Sequence, residues 1–203
     1  MDKRVIKRGM SELAKVDQDI ARALAQIGLP EPRLRPAGFE TLFTTLLSQQ
    51  ISVEAARAIR ERVVALMGEI TPQAVLKVKP EALREAGMSY RKIEYAQGLA
   101  QAIMVGTLDV DGLKKQSDAA VIDAISAVRG FGVWSAEIYL MFSLRRRDVF
   151  PAGDLALRLA LGKLKGMNEK LTEKEARNTV EHWAPWRSVG AIFLWHYYRG
   201  APE

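Results

Sequence analysis

Residues 128–158 read VRGFGVWSAEIYLMFSLRRRDVFPAGDLALR, and the fold turns on this stretch. It opens with a glycine turn, Arg129-Gly130-Phe131-Gly132, and continues as an apolar run with Trp134 near its start. A basic triplet follows, Arg145 to Arg147, and then Phe150-Pro151-Ala152-Gly153 delivers one acid, Asp154, to the head of a second apolar segment. A Gly-x-Gly turn that opens a helix points backbone N–H groups outward, which makes a ready anion or phosphate site. Asp154 lies 20 residues beyond Trp134, about one helix and one loop away. The stretch therefore predicts a phosphate-gripping turn and a single carboxylate tied to opposite ends of one helix.

Each part also has a plainer reading. A lone Gly-x-Gly is a tight turn. Asp154, between Gly153 and Leu155, is a helix N-cap. Arg145 to Arg147 is a solvated helix end that complements the dipole. The order of the parts carries more information than any one of them.

Working outward, helical periodicity dominates. Leu13, Val16, Ile20, Leu24 and Ile27 form one stripe and predict a helix over 10–27, broken by Gly28 and Pro30. Phe39, Leu42, Phe43, Leu46 and Leu47 mark a buried helical face. The polar tip Ser48-Gln49-Gln50-Ile51-Ser52 separates it from a helix that Gly68 stops near Met67. Short helices start at Pro72 and Pro80, and Ser89 caps a helix over 90–105 with Ile93, Ala96, Leu99, Ala100 and Ile103 on its stripe. Ser117-Asp118 caps the helix that feeds the glycine turn. Beyond Asp154 come a helix to about Leu164, a turn at 166–168, a helix start at Thr172 and an aromatic helix over 187–199. No alternating strands and no internal repeat are evident. The expectation is all-α, with about ten helices.

Composition narrows the function. A chain of 203 residues, 48% hydrophobic and 27% charged, is an ordinary globule of one large domain or two small lobes. No apolar run reaches the roughly 20 residues that span a bilayer, and the N-terminus lacks the apolar core of a signal peptide. A cytoplasmic protein is expected, nucleoid-associated if bacterial. Without cysteine there is no disulfide, thiolate nucleophile or cysteine-held iron–sulfur cluster, and two histidines, His182 and His196, are too few for a histidine metal site. A net charge of +6 and a pI near 9.6 favour a polyanionic partner.

Four segments in collinear order resemble the helix-hairpin-helix superfamily of base-excision DNA glycosylases, in particular its 3-methyladenine DNA glycosylase II branch. They are Leu47-Ser-Gln-Gln-Ile-Ser52, Gly87-Met-Ser89, the glycine hairpin with Phe150-Pro-Ala-Gly-Asp154, and Pro185-Trp-Arg-Ser188 with Trp195. The resemblance covers roughly residues 35 to 200. It implies a two-lobed helical glycosylase fold with a helix-hairpin-helix motif and no N-terminal β-lobe. One lobe would hold 35–145, with the hairpin at 129–132, and the other 1–34 plus 146–203, with the active site between them.

The resemblance implies a catalytic role for Asp154. Breaking an N-glycosidic bond builds positive charge on the deoxyribose of a flipped nucleotide, and a fixed carboxylate stabilises that charge. The same group orients or deprotonates the attacking water. An alkylated purine is already cationic while it is attached to the sugar, so it needs no strong acid to leave. Relatives that also cut the backbone carry lysine where this chain has Trp134, because an amine forms a Schiff base with the sugar. The expectation is a monofunctional enzyme.

Trp134 and Trp195 match positions that line the family's base pocket, where an indole face holds a flat cationic purine; core packing is their plainer reading. Phe193, Tyr197 and Tyr198 read as core or rim, and Trp183 and Trp186 as packing. Ile138 and Leu155 stand where the family pocket carries further aromatics, a departure that bears on lesion range. Gln49 and Gln50 match the tip that enters the minor groove, with Gln50 filling the hole left by the flipped nucleotide. The amides of Gly130 and Gly132 match the phosphate-binding hairpin, with a monovalent cation at its carbonyls as the one ion expected. Arg129 is an auxiliary phosphate contact, as are Arg145 to Arg147 and, more weakly, Arg91 and Lys92. The partner is double-stranded DNA containing damaged bases, bound by a monomer.

Within this reading the leaving base is an alkylated purine such as 3-methyladenine or 7-methylguanine. A neutral damaged base (hypoxanthine, an etheno-adduct, uracil) is the alternative substrate. A non-catalytic helix-hairpin-helix DNA-binding protein is the alternative of another class, although it leaves Asp154 and both tryptophans unused. A helical protein that binds a phosphate or metabolite accounts only for the charge.

Overall fold

The computed structural model describes residues 1–167 and 170–200, without the side chains of Arg199 and Gly200. Asn168 of the turn expected at 166–168, and residues 201–203 of the second expected lobe, lie outside the described residues. The described residues form twelve α-helices: α1 Lys3–Val16, α2 Gln18–Ile27, α3 Phe39–Ser48, α4 Val53–Met67, α5 Pro72–Lys77, α6 Pro80–Glu85, α7 Tyr90–Met104, α8 Asp118–Ser126, α9 Val133–Phe142, α10 Leu155–Leu164, α11 Glu173–Thr179 and α12 Arg187–Gly200. Single 3-10 turns occupy Gly112–Lys115 and Glu181–Trp183, and no strand occurs among the described residues. No described helix is long and apolar enough to cross a membrane. The chain divides into two compact units, one of residues 36–139 and one of residues 1–35 with 140–203.

The contiguous unit is built on α3. Phe39, Leu42, Phe43, Leu46 and Leu47 are all at most 8% exposed, as their spacing predicts. Burying such side chains stabilises by about 1.5–3 kcal/mol each. Helices α4 and α7 pack against α3, and α5 and α6 pack against α7. Side chains cap the helix starts: Ser52 accepts from Ala55 N, Thr71 from Ala74 N, Ser89 from Lys92 N and Ser117 from Ala120 N. The Tyr139 hydroxyl accepts from Gly38 N at 2.9 Å and so anchors the start of α3; burial pushes that phenol's pKa up.

The other unit is assembled from both ends of the chain. Helix α1 packs on α2 and α12, and α10 packs on α11 and α12. Gly9 permits the α1–α12 approach, since a Cβ there would stand 2.8 Å from Val189 Cγ2 and 2.9 Å from Trp186 Cε3. The expected single helix over 10–27 is two helices. Asp17 leaves helical geometry (φ −141, ψ 105) and its side chain accepts from Asp19 N and Ile20 N, capping α2. The apolar stripe runs in register through this break, which is why periodicity alone missed it. Val16, placed on that stripe, is 57% exposed. The charged N-terminal stretch is itself helical, with Asp2 capping α1 and Ile6, Met10 and Leu13 buried.

Candidate functional site

In the contiguous unit, the two expected DNA-facing elements are the tip after α3 and the hairpin between α8 and α9. The hairpin turns on Gly130, whose φ of +96 few L residues adopt. A Cβ there would also lie 2.3 Å from Tyr95 Cδ2, so the turn backs directly onto the α7 ring. Phe131 N donates to Val128 O at 3.0 Å and closes the turn. Gly132 is exposed and its carbonyl accepts from Ala136 N in the first turn of α9. Trp134 follows in that same turn, half-buried.

The structure brings the tip and the hairpin together. Gln49 donates its side-chain amide to the Gly130 carbonyl at 3.1 Å and reaches Ser135 Oγ at 3.5 Å. The Gln49 side chain is therefore spent inside the protein, and Gln50 is the residue presented at the tip, exposed and left-handed at φ +59. Lys92, expected as a weak phosphate contact, also turns inward. Its ammonium donates to Leu47 O at 2.6 Å and Gln49 O at 2.7 Å, and burial pushes its pKa down. Sequence spacing gave no sign of either link. A cavity of about 220 Å³ opens beside the tip, lined by Leu47, Gln49, Gln50, Ile51, Gly87, Ser89 and Lys92 among others. Arg129, 74% exposed in its side chain, pairs with Glu94 and lies 5.6 Å from the Tyr95 ring centroid. An exposed pair of this kind stabilises little and leaves the guanidinium accessible.

In the other unit, Asp154 is the N-cap of α10. Its Oδ1 accepts from Leu157 N at 3.0 Å, and its own N–H donates to Pro151 O at 2.9 Å. The preceding turn is rigidly seated. Phe150, Pro151 and Ala152 are buried, the Phe150 ring meets Trp183 edge-on at 6.2 Å, and Arg177 donates to Phe150 O at 2.9 Å. A half-buried carboxylate on such a frame is a fixed negative charge at a helix N-terminus.

Trp195 is half-buried on α12, its ring 5.8 Å from that of Phe142, and lines a cavity of about 150 Å³ with Pro30, Glu31, Arg33, Ile192 and His196. Trp183 is fully buried and Phe193 and Tyr197 are core, whereas Tyr198 is 51% exposed. Ile138 is 5% exposed and Leu155 47%. The basic triplet is not a uniform solvated face. Arg145 takes a left-handed turn at φ +60, Arg146 is half-buried, and Arg147 lies over the Trp186 ring at 5.1 Å, as Arg8 does at 5.8 Å. Asp148 holds Arg187 with two bonds of 2.7 Å, and the Arg187 partner holds its carboxyl below the usual range.

No cluster of metal-ligating side chains occurs among the described residues. The hairpin carbonyls of Val128, Gly130 and Gly132 each accept one hydrogen bond, and a carbonyl carries two lone pairs. That neutral, all-oxygen donor set is chemically suited to a hard monovalent cation.

Residues 43–185 match the HhH-GPD superfamily of base excision DNA repair proteins. The chain belongs to that superfamily. It is 29% identical over 190 residues to DNA-3-methyladenine glycosylase 1 of Schizosaccharomyces pombe, covering 90% of this chain and 83% of that one. Its fold superposes on a 3-methyladenine DNA glycosylase of the same yeast, solved in complex with abasic DNA, with a TM-score of 0.88 at 28% identity, over 96% of this chain and 98% of the other. A DNA-3-methyladenine glycosidase from Bacillus halodurans superposes with a TM-score of 0.82 at 34% identity, over 92% and 86%. The all-helical architecture of this HhH-GPD protein is that of the superfamily.

Proposed function

We propose that this HhH-GPD protein is a monofunctional DNA glycosylase that releases alkylated purines, 3-methyladenine and 7-methylguanine among them, from duplex DNA. The observation that carries the reading is Asp154: a carboxylate fixed at the N-terminus of α10 by its own capping bond, in a chain whose relatives are named as 3-methyladenine glycosylases. As the glycosidic bond stretches, positive charge grows on the sugar and the preorganised carboxylate stabilises it. The same oxygen pair directs water to the anomeric carbon, so the bond breaks to free base and abasic sugar. The base leaves as a neutral purine because it was cationic in the DNA, which removes the need for a proton donor.

Trp134 and Trp195 are the aromatic faces offered to the base; both are half-buried, accessible yet held. The amides of Gly130 and Gly132 take a backbone phosphate, and Arg129 adds charge beside them. A monovalent cation, when bound by the hairpin carbonyls, would add attraction for that phosphate. Gln50 enters the stack and hydrogen-bonds the base opposite. Tryptophan at position 134 supplies no amine, so no Schiff base forms and the strand stays whole. The deciding experiment measures free base released from methylated duplex DNA, alongside duplexes carrying hypoxanthine, ethenoadenine or uracil. Release of 3-methyladenine or 7-methylguanine supports the reading. Release of only a neutral base moves the substrate class, and no release despite salt-sensitive DNA binding leaves a binding module.

A further inference from the structure

The tip after α3 is a backbone in an unusual state held from several sides. Helix α3 ends at Ser48, and the last carbonyls of a helix have no partner within it. Here two carbonyls of this end, Leu47 O and Gln49 O, are taken by one ammonium, that of Lys92, reaching across from the first turn of α7. A cation at a helix C-terminus also opposes the dipole's negative end. The Gln49 side chain is fastened separately to Gly130 O in the hairpin. Three residues on, the Ser52 hydroxyl accepts from Ala55 N and fixes the start of α4. Between these fastenings stand only Gln50 and Ile51, both exposed, with Gln50 in a left-handed conformation that a non-glycine residue rarely holds.

We propose that Lys92 is a positioning residue for damage recognition: by capping α3 it holds Gln50 in the left-handed conformation that presents its side chain to DNA. This rests on the reading of Gln50 as the residue that enters the base stack. Without the ammonium, two carbonyls lose their partner, and the tip is free to adopt commoner backbone angles that turn Gln50 aside. Lys92 itself need not touch DNA, since two of its three ammonium donors are engaged within the protein.

The test is a double-substitution cycle read on binding. The quantity is the ratio of affinities for a duplex with a tetrahydrofuran abasic site and for the same duplex undamaged, at one salt concentration. Gln50→Ala and Lys92→Met are each expected to lower the ratio by roughly tenfold, the scale of one charge-assisted hydrogen-bonding partner. Together they should lower it hardly further, because Lys92 acts only through Gln50. Lys92→Arg, which keeps donors and charge, should restore most of the ratio. A purely structural role predicts instead a lowered melting temperature and equal loss on both duplexes. The proposal is overturned if Lys92→Met keeps the wild-type ratio, if it lowers the ratio equally in the Gln50→Ala background, or if wild type shows no preference for the abasic duplex. Base release is scored separately: coupling with no released base would sink the catalytic reading and leave the tip device standing.

Discussion

The indole N–H of Trp183 donates at 2.7 Å to the carboxylate of Asp17, a residue 166 positions earlier that is only 4% exposed. Lys165 Nζ reaches the same oxygen at 2.7 Å, and His182 Nε2 lies 3.2 Å from it. Burial works against the charge on Asp17. Hydrogen bonds from Lys165, Trp183 and the Ile20 amide, with the charge of Lys165, outweigh it and hold the carboxyl at about 2, below the ordinary 3.8. A depressed acid adds stability above its unfolded pKa and loses it as pH falls through the folded one. Asp17 is thus expected to contribute about 2 kcal/mol at neutral pH, lost between about pH 4 and pH 2. Asp17→Asn should cost about 2–4 kcal/mol by leaving Lys165 without its main counter-charge, and should flatten that acid limb. Urea titrations across this pH range check both, and an unchanged acid limb would remove Asp17 from the account.

Asp154→Asn separates charge from architecture. Asparagine caps a helix about as well as aspartate, so the melting temperature should move little. Base release should fall on the order of 10²–10³-fold, the scale of one lost electrostatic stabiliser. Circular dichroism melts and single-turnover release on the same preparations decide it; near wild-type release would take Asp154 out of the mechanism.

Gly130→Ala meets two obstacles at once, a φ of +96 and a Cβ 2.3 Å from Tyr95 Cδ2. The hairpin must shift, at a cost of about 2–4 kcal/mol. Loss of duplex binding is expected with it. Gly132→Ala leaves the fold undisturbed, since nothing lies within 4 Å of its added Cβ, and so probes the phosphate site alone. Undiminished duplex binding by Gly130→Ala would argue against a phosphate role for this turn.

If Trp134 leaves the enzyme without an amine nucleophile, borohydride should trap no covalent complex with DNA during turnover. The product strand should break only on later alkali or heat. Gel analysis with and without borohydride settles the point, and a trapped adduct would mean that another amine does the work.

Much of this molecule was legible in one dimension because it is made of local signals. The α3 stripe from Phe39 to Leu47, the Ser and Thr caps and the Gly130 turn are written within a few residues of where they act. Asp154 as an N-cap was readable from Gly153-Asp154-Leu155 alone. The misses were of another kind. Asp17 breaks a helix whose apolar register continues past it, and its partners Lys165 and Trp183 are far away in sequence. Gln49 and Lys92 look like polar surface until Gly130 O and Leu47 O are found at their ends. A side chain that serves a distant carbonyl leaves no periodic trace.

One of the two units interrupts the other: residues 36–139 stand between 1–35 and 140–203. Translation therefore yields α1 and α2 well before α12, against which α1 packs. The contiguous unit has all its own residues in hand while α1 still waits for α12. Trp183, Trp186 and Trp195 all belong to that late-completed unit. During synthesis, the face of α1 that meets α12 stays open until every helix between the two has been made.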